Sequence, residues 1–334
     1  MAGNTYYSSY ETAAPVLAPS GVRSSSVYVP EGALMKHGAL RSRAAVEDAA
    51  RRGTTVEAMC VLCDCTTMQL TVELPDGIRG ILPREEAGWV PHGELKDIAI
   101  ITRVGKPIQF KITELYETDR GEMIALLSRR AAQQECYERY ISRLVPGDVI
   151  PARVTHLEPF GAFCDIGGGF VSLLTVDRIS VSRISHPSDR FRSGDFLHVA
   201  VQTVEDDGRI YLTHRELLGT WEENAAAFSP GQTVPGIIRS VEDYGIFVEL
   251  APNLAGLAES FPGARPGDAC SVYIKSLLPD RMKIKLVLID LCGKSSPSPC
   301  RYFLSSDSAR HLSHWRYSPV CCPKVVETVF TGEG

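Results

Sequence analysis

Phe160-Gly161-Ala162-Phe163-Cys164-Asp165-Ile166 decides the reading of this chain, because it returns 84 residues later as Tyr244-Gly245-Ile246-Phe247-Val248-Glu249-Leu250. The same offset pairs Pro146-Gly147 with Pro230-Gly231, Glu158 with Glu242 and Leu173 with Leu257, so a whole unit is duplicated without a gap. In a regular strand, residues three apart point to opposite faces. A glycine at the strand start permits a bulge or bend that brings both rings to one side. The expected product is a two-aromatic platform suited to unstacked bases; the bland alternative is a pair of core rings, which duplication in a matching context disfavours.

Working outward, the unit around Phe160 reads as five short strands: 149–157, 161–166, 170–175, 197–204 and 209–213, with Gly168-Gly169 and Asp207-Gly208 as turns. The next unit opens at Pro230-Gly231 and is trimmed. Its Arg265-Pro266-Gly267-Asp268 answers Arg192-Ser193-Gly194-Asp195 at an offset of 73, so about eleven residues of the connection are lost. Upstream, strand-like runs at 56–63, 68–74, 77–82, 107–112 and 123–127 suggest a third small barrel. Aligned on Val72-Glu73-Leu74, it places Met68 and Thr71 where the later units have their two rings, so it lacks the platform.

The expected organisation is mainly β, with three tandem five-stranded barrels joined by short helices. Residues 1–38, rich in Ser, Ala, Tyr and Pro, are expected to be a disordered tail. A leading helix and degenerate barrel span 39–130, a linker helix 131–144, the second barrel 145–217, a linker helix 218–229 and the shortened third barrel 230–289. Residues 290–334 hold many aromatic and apolar side chains and are expected to dock on the third barrel or on a partner.

A formal charge of -5 over 334 residues argues against a uniformly basic nucleic-acid binder but not against a local basic groove. No apolar run approaches the roughly 20 residues of a membrane span, and no signal core follows a basic start. The expectation is a cytoplasmic protein with no membrane partner. Most of the ten cysteines sit within apolar patterns, as small hydrophobes do, rather than in a disulfide framework.

Several motifs together resemble the bacterial S1 RNA-binding-domain proteins, related to the small-subunit ribosomal protein S1. They are the Pro146-Gly-Asp-Val-Ile opening, Phe160-Gly-Ala-Phe163, Gly208-Arg209-Ile210-Tyr211-Leu212 and the Trp221-Glu222-Glu223 hinge, with weaker matches at Ala255-Gly256-Leu257-Ala258 and Gly80-Ile81-Leu82-Pro83. The resemblance implies OB-fold barrels that hold single-stranded RNA on the face of the second and third strands. It assigns Phe160, Phe163 and Arg209 to that contact, and puts Thr175 where the family has a histidine. In the third barrel it assigns Tyr244, Phe247 and Lys283, with Glu259 at the histidine position. The second barrel is therefore expected to bind RNA more strongly than the third, and the first to bind little. Arg178, Arg183, Arg190 and Arg192 could extend the groove from the segment between the third and fourth strands.

Neither cysteine cluster, Cys60-x-x-Cys63-x-Cys65 or the C-terminal group, has the paired spacing of a structural zinc site. No phosphate loop, His-Glu-x-x-His or nucleophile elbow appears, so no enzyme, cofactor or small-molecule substrate is expected. The expected partner is single-stranded RNA, in particular messenger RNA, with the 30S ribosomal subunit as a second. The competing reading is a scaffold that docks on the ribosome or RNA-processing machinery without touching RNA.

Overall fold

The computed structural model describes residues 28–36, 40–91, 93–295, 300–304 and 310–331. Three closed five-stranded barrels follow one another. Barrel one comprises β1 (Val56–Asp64), β2 (Gln69–Glu73), β3 (Arg79–Leu82), β4 (Pro107–Glu117) and β5 (Met123–Ser128). Barrel two comprises β6 (Val149–Glu158), β7 (Gly161–Asp165), β8 (Val171–Thr175), β9 (Phe196–Val204) and β10 (Ile210–Thr213). Barrel three comprises β11 (Thr233–Glu242), β12 (Gly245–Ala251), β13 (Leu254–Ala258), β14 (Asp268–Leu278) and β15 (Lys283–Lys294).

Each barrel closes in the order first, second, third, fifth, fourth, with the fourth strand returning to the first. Period-two patterning fills the interiors, as in β15, where Ile284, Leu286 and Leu288 are buried between exposed lysines and Val287. A five-stranded sheet must coil strongly to close on itself. Register jumps occur at equivalent places in all three barrels, leaving Val61, Thr155 and Arg239 unpaired on the first strand. Thr113, Gln202 and Lys275 are likewise passed over on the fourth. Such bulges increase local twist, which is what closure requires.

The tail expected to be disordered needs correction over residues 28–36, while its remaining residues 1–27, 37 and 38 lie outside the described residues. Residues 28–36 form a strap between barrels one and two. Glu31 N–H donates to Asp165 Oδ2 at 2.7 Å, and Gly32 and Met35 N–H donate to the two oxygens of Glu57 at 2.6 and 2.8 Å. The Glu31 carboxylate accepts from Gln109 N–H, Arg129 Nε and Arg103 Nη1. Burial, and then the neighbouring Glu31 charge, raise the Asp165 carboxyl above the ordinary range.

The linker helix runs over Arg129–Arg139, capped by Ser128, and gives way to a 3-10 turn at Ile141–Arg143. Its Tyr137 packs between Trp89 of barrel one and Phe170 of barrel two, at centroid distances of 5.0 and 5.9 Å. The second linker is not one helix. It breaks into a 3-10 turn, Arg215–Leu218, and a short α-helix, Trp221–Ala225, because Gly219 adopts φ 82° and leaves room for the Phe303 ring, which a Cβ there would meet at 2.7 Å.

Barrels two and three are locked by buried polar groups. Arg190 reaches Glu249 through both terminal nitrogens, at 2.7 and 2.5 Å, and Arg239 adds a 2.8 Å bond to the same carboxylate. All three side chains are at least nine-tenths buried. Arg190 therefore does not line an RNA groove, and segment 178–192 is a joint between barrels. Fully buried Asn253 accepts from Val181 N–H and donates to the carbonyls of Arg215 and Gly219, while Tyr317 of the C-terminal segment donates to its carbonyl.

The C-terminal segment packs on barrel three through Trp315 and Tyr317 and also on barrel two through Cys300 and Tyr302. Buried His214 donates from Nδ1 to the Ile179 carbonyl at 2.9 Å and accepts the Tyr302 hydroxyl at Nε2 at 3.1 Å. Among the described residues, no helix is long and apolar enough to cross a membrane, and no group of three or more His, Cys, Asp or Glu side chains could hold a metal ion. The cysteines are unbridged, and burial pushes the Cys60 and Cys270 thiols up to about 11.

Replacing Glu249 with Ala leaves two buried guanidinium groups without their carboxylate, and removing one partner of a buried pair costs about 3–5 kcal/mol. Denaturant unfolding of the full chain should show that loss at the joint, with earlier proteolytic separation of barrels two and three. His214 gives a pH test: burial lowers its pKa to about 4 in the fold, against 6.5 when free. Between these values the unfolded chain binds the extra proton, so stability present at pH 7 falls as pH drops from about 6.5 through 4, by about 3 kcal/mol at most. The wild-type minus His214→Gln difference in unfolding free energy should follow that curve; a flat difference would contradict it.

Candidate nucleic-acid interface

The two-ring platform forms, but not through a bulge in β7. Phe160 lies outside the strand, in the two-residue turn between Glu158 and Gly161, which face each other across the hairpin. A turn residue escapes the alternation rule, so Phe160 can meet Phe163 edge to face with ring centroids 6.0 Å apart. Tyr244 and Phe247 repeat the arrangement at 6.1 Å. Phe160 is 54% exposed and Tyr244 70%, which rules out the core reading for both.

Gly161 is dictated by close approach. A Cβ there would stand 2.5 Å from the Leu174 carbonyl oxygen of β8, and Gly245 meets Ala258 in the same way. Every other residue type would push the second strand off the third.

Register extends the platform sideways. His156 pairs with Phe163, Phe163 with Leu173, and Leu173 with Tyr211 in the parallel β8–β10 ladder. His156 stacks on Phe163 at 6.5 Å with an interplanar angle of 24°. The row thus crosses four strands with three rings and a leucine, and Phe160 stands at its edge. His156 and Tyr211 were not singled out from sequence. His156 takes its place only because the bulge at Thr155 re-phases β6, and Tyr211 only because closure sets the fifth strand beside the third.

The other sequence candidates are distributed less evenly. Thr175 pairs with Gly161 and borders Phe160 at the end of β8. Arg209, just before β10, is exposed and tied to Asp207 at 2.7 Å, an attachment that holds the Asp207 carboxyl below its usual range. Arg178 pairs with Asp177, and Arg183 is exposed on the segment that packs against barrel three, away from the aromatic row. In barrel three, Lys283 is exposed at the hairpin end, but the basic residue in the row itself is Lys285, which pairs with Leu257 beside Phe247. Barrel one aligns Leu62, Thr71, Ile81 and Leu126 at the equivalent positions and presents no ring.

A closed barrel in this strand order, with one ring on the outer side of its second strand and an exposed ring at the turn before it, has the oligonucleotide-binding fold of small β-barrels. Residues 144–215 match the family model described as the S1 RNA binding domain. The small ribosomal subunit protein bS1 of Leuconostoc lactis is 31% identical over 211 residues, covering 61% of this chain and 46% of the relative. The bS1 homolog of Bacillus subtilis is 31% identical over 187 residues, covering 54% and 47%. The Staphylococcus aureus protein is 27% identical over 253 residues, covering 69% and 62%. Residues 144–215 are thus similar to an S1 domain, and more than half of the chain is similar to small-subunit ribosomal protein S1 of several bacteria. The chain spans about half the length of the first two relatives.

Gly161→Ala should destabilise barrel two by about 1–3 kcal/mol, the usual cost of overpacking a tight contact. Thermal unfolding would measure this.

Proposed function

We propose that this protein binds single-stranded RNA without catalysis, principally on the outer face of barrel two, and that its physiological ligand is messenger RNA at the small ribosomal subunit. The observation that carries this reading is the outer row in which exposed Phe160 and His156 flank half-buried Phe163 and Tyr211 inside the matched S1 domain. The names of the bS1 relatives support the ribosomal setting.

The mechanism is stacking plus charge. Each base laid on an aromatic face contributes about 1–3 kcal/mol whatever its identity, and one such barrel covers roughly 4–16 nucleotides. Flat rings standing clear of the surface accept purines and pyrimidines alike, so binding tolerates sequence. Duplex RNA keeps its bases stacked inside and offers these rings no free faces. Barrel three repeats the platform with Tyr244, Phe247 and Lys285, but Glu259 follows the strand end at Ala258 and repels phosphate there. Barrel two is the stronger site.

Fluorescence anisotropy of a labelled RNA of about 12 nucleotides tests the assignment. Phe160→Ala/Phe163→Ala should weaken binding about tenfold or more, while circular dichroism stays unchanged. Failure of the wild type to bind at low salt, or equal binding by the double variant, would overturn the reading and favour the scaffold.

A further inference from the structure

The face that carries Phe163 and His156 runs into a cleft of about 440 Å³ between barrels one and two. Barrel one contributes Arg103 and Lys106 from the turn leading into β4, and barrel two contributes Arg153 from β6. The opposing carboxylates, Glu31 and Asp165, are already engaged: Glu31 by Arg103 and Arg129, Asp165 by the backbone N–H groups of Glu31, Gly167 and Gly169. Arg153 is held in place by the Glu31 carbonyl at 3.0 Å and by the face of Phe196, 5.6 Å from its ring centroid. Lys106 is exposed and has no ion pair among the described residues.

From this arrangement we infer that the cleft is a phosphodiester-binding extension of the barrel-two platform, in which Lys106, Arg103 and Arg153 hold the backbone of an RNA strand whose bases stack on Phe163 and Phe160. The inference rests on the RNA reading of that platform.

Three observations converge on it. The cleft shares Phe163 and His156 with the aromatic row, so a strand leaving the rings along β6 and β7 meets Arg153 next. The positive groups come from both sides of the joint, and the strap and the Trp89, Tyr137 and Phe170 cluster hold that joint in one geometry. Positive groups crowd there: the Lys106 pKa is lowered first by partial desolvation and then by the Arg103 charge, with Glu31 opposing and Arg153 adding to the lowering. A phosphate relieves that repulsion. Barrel one, which has no rings on its own face, thereby contributes charge at its border with barrel two.

The test uses the full chain with single-stranded RNAs of about 6 and about 12 nucleotides, the shorter covering the rings alone and the longer reaching the cleft. Lys106 is the residue to change because its side chain makes no hydrogen bond or ion pair among the described residues, and circular dichroism with thermal midpoints checks the fold. Lys106→Ala should weaken the longer RNA about 3–10-fold and reduce the steepness of the log–log salt dependence by about 0.7, the share of one phosphate contact on a single strand. Lys106→Glu should weaken it further, Lys106→Arg should restore it, and the shorter RNA should bind all variants alike. Unchanged affinity and salt slope for the longer RNA in Lys106→Ala and Lys106→Glu would overturn the cleft assignment, as would equal weakening of both RNAs. Phe160→Ala/Phe163→Ala separates the two levels: if it still abolishes binding, only the extension has failed, and if it binds like wild type, the platform itself has failed.

Discussion

Closure of each barrel through parallel pairing of its third and fifth strands is the constraint on which the surface of this protein depends. An open meander would leave Tyr211 far from Phe163. The parallel ladder that joins Tyr211 to Leu173 makes one continuous outer row from four strands separated by up to 55 residues. The bulges at Val61, Thr155 and Arg239 serve the same closure, and at Thr155 the bulge also turns His156 toward Phe163. Barrel geometry and the aromatic row therefore arise from one set of backbone irregularities.

The joints between barrels follow a different logic. Charged groups are rarely buried unless paired, yet Glu249, Arg190 and Arg239 lie in the joint of barrels two and three, and Glu31, Arg129 and Asp165 in that of barrels one and two. Such groups contribute less net stability than apolar packing would, but they tolerate only one alignment of their partners. The eleven residues that barrel two retains and barrel three lacks belong to this arrangement. The longer connection carries Arg190 and Ser182 onto barrel three, where Ser182 N–H donates to the Pro252 carbonyl.

Function lies in what the fold leaves uncovered. Phe160 and Tyr244 stand at hairpin turns, 54% and 70% exposed, an arrangement that forgoes hydrophobic burial. Interiors of the three barrels are alike, but their outer rows differ: rings in barrel two, rings with lysine in barrel three, and aliphatic side chains with one threonine in barrel one.

The strand pattern, the repeat and the residue types at the platform are legible along the chain, because period-two burial, turn glycines and a duplicated aromatic-Gly-x-Phe are local properties. The sequence placed Phe160, Phe163, Tyr244 and Phe247 correctly on the outer surface, though for a reason that changed: a turn, not a bulge in the second strand, frees Phe160 from alternation. It misplaced Arg190, since a basic run reads the same whether it faces solvent or a carboxylate 59 residues away. Tertiary packing alone straps two barrels together with residues 28–36, brings His156, Tyr211 and Lys285 into the rows, and gathers Arg103, Lys106 and Arg153 at one cleft. Those are consequences of barrel closure and of how barrels meet, and neither leaves a periodic trace along the chain.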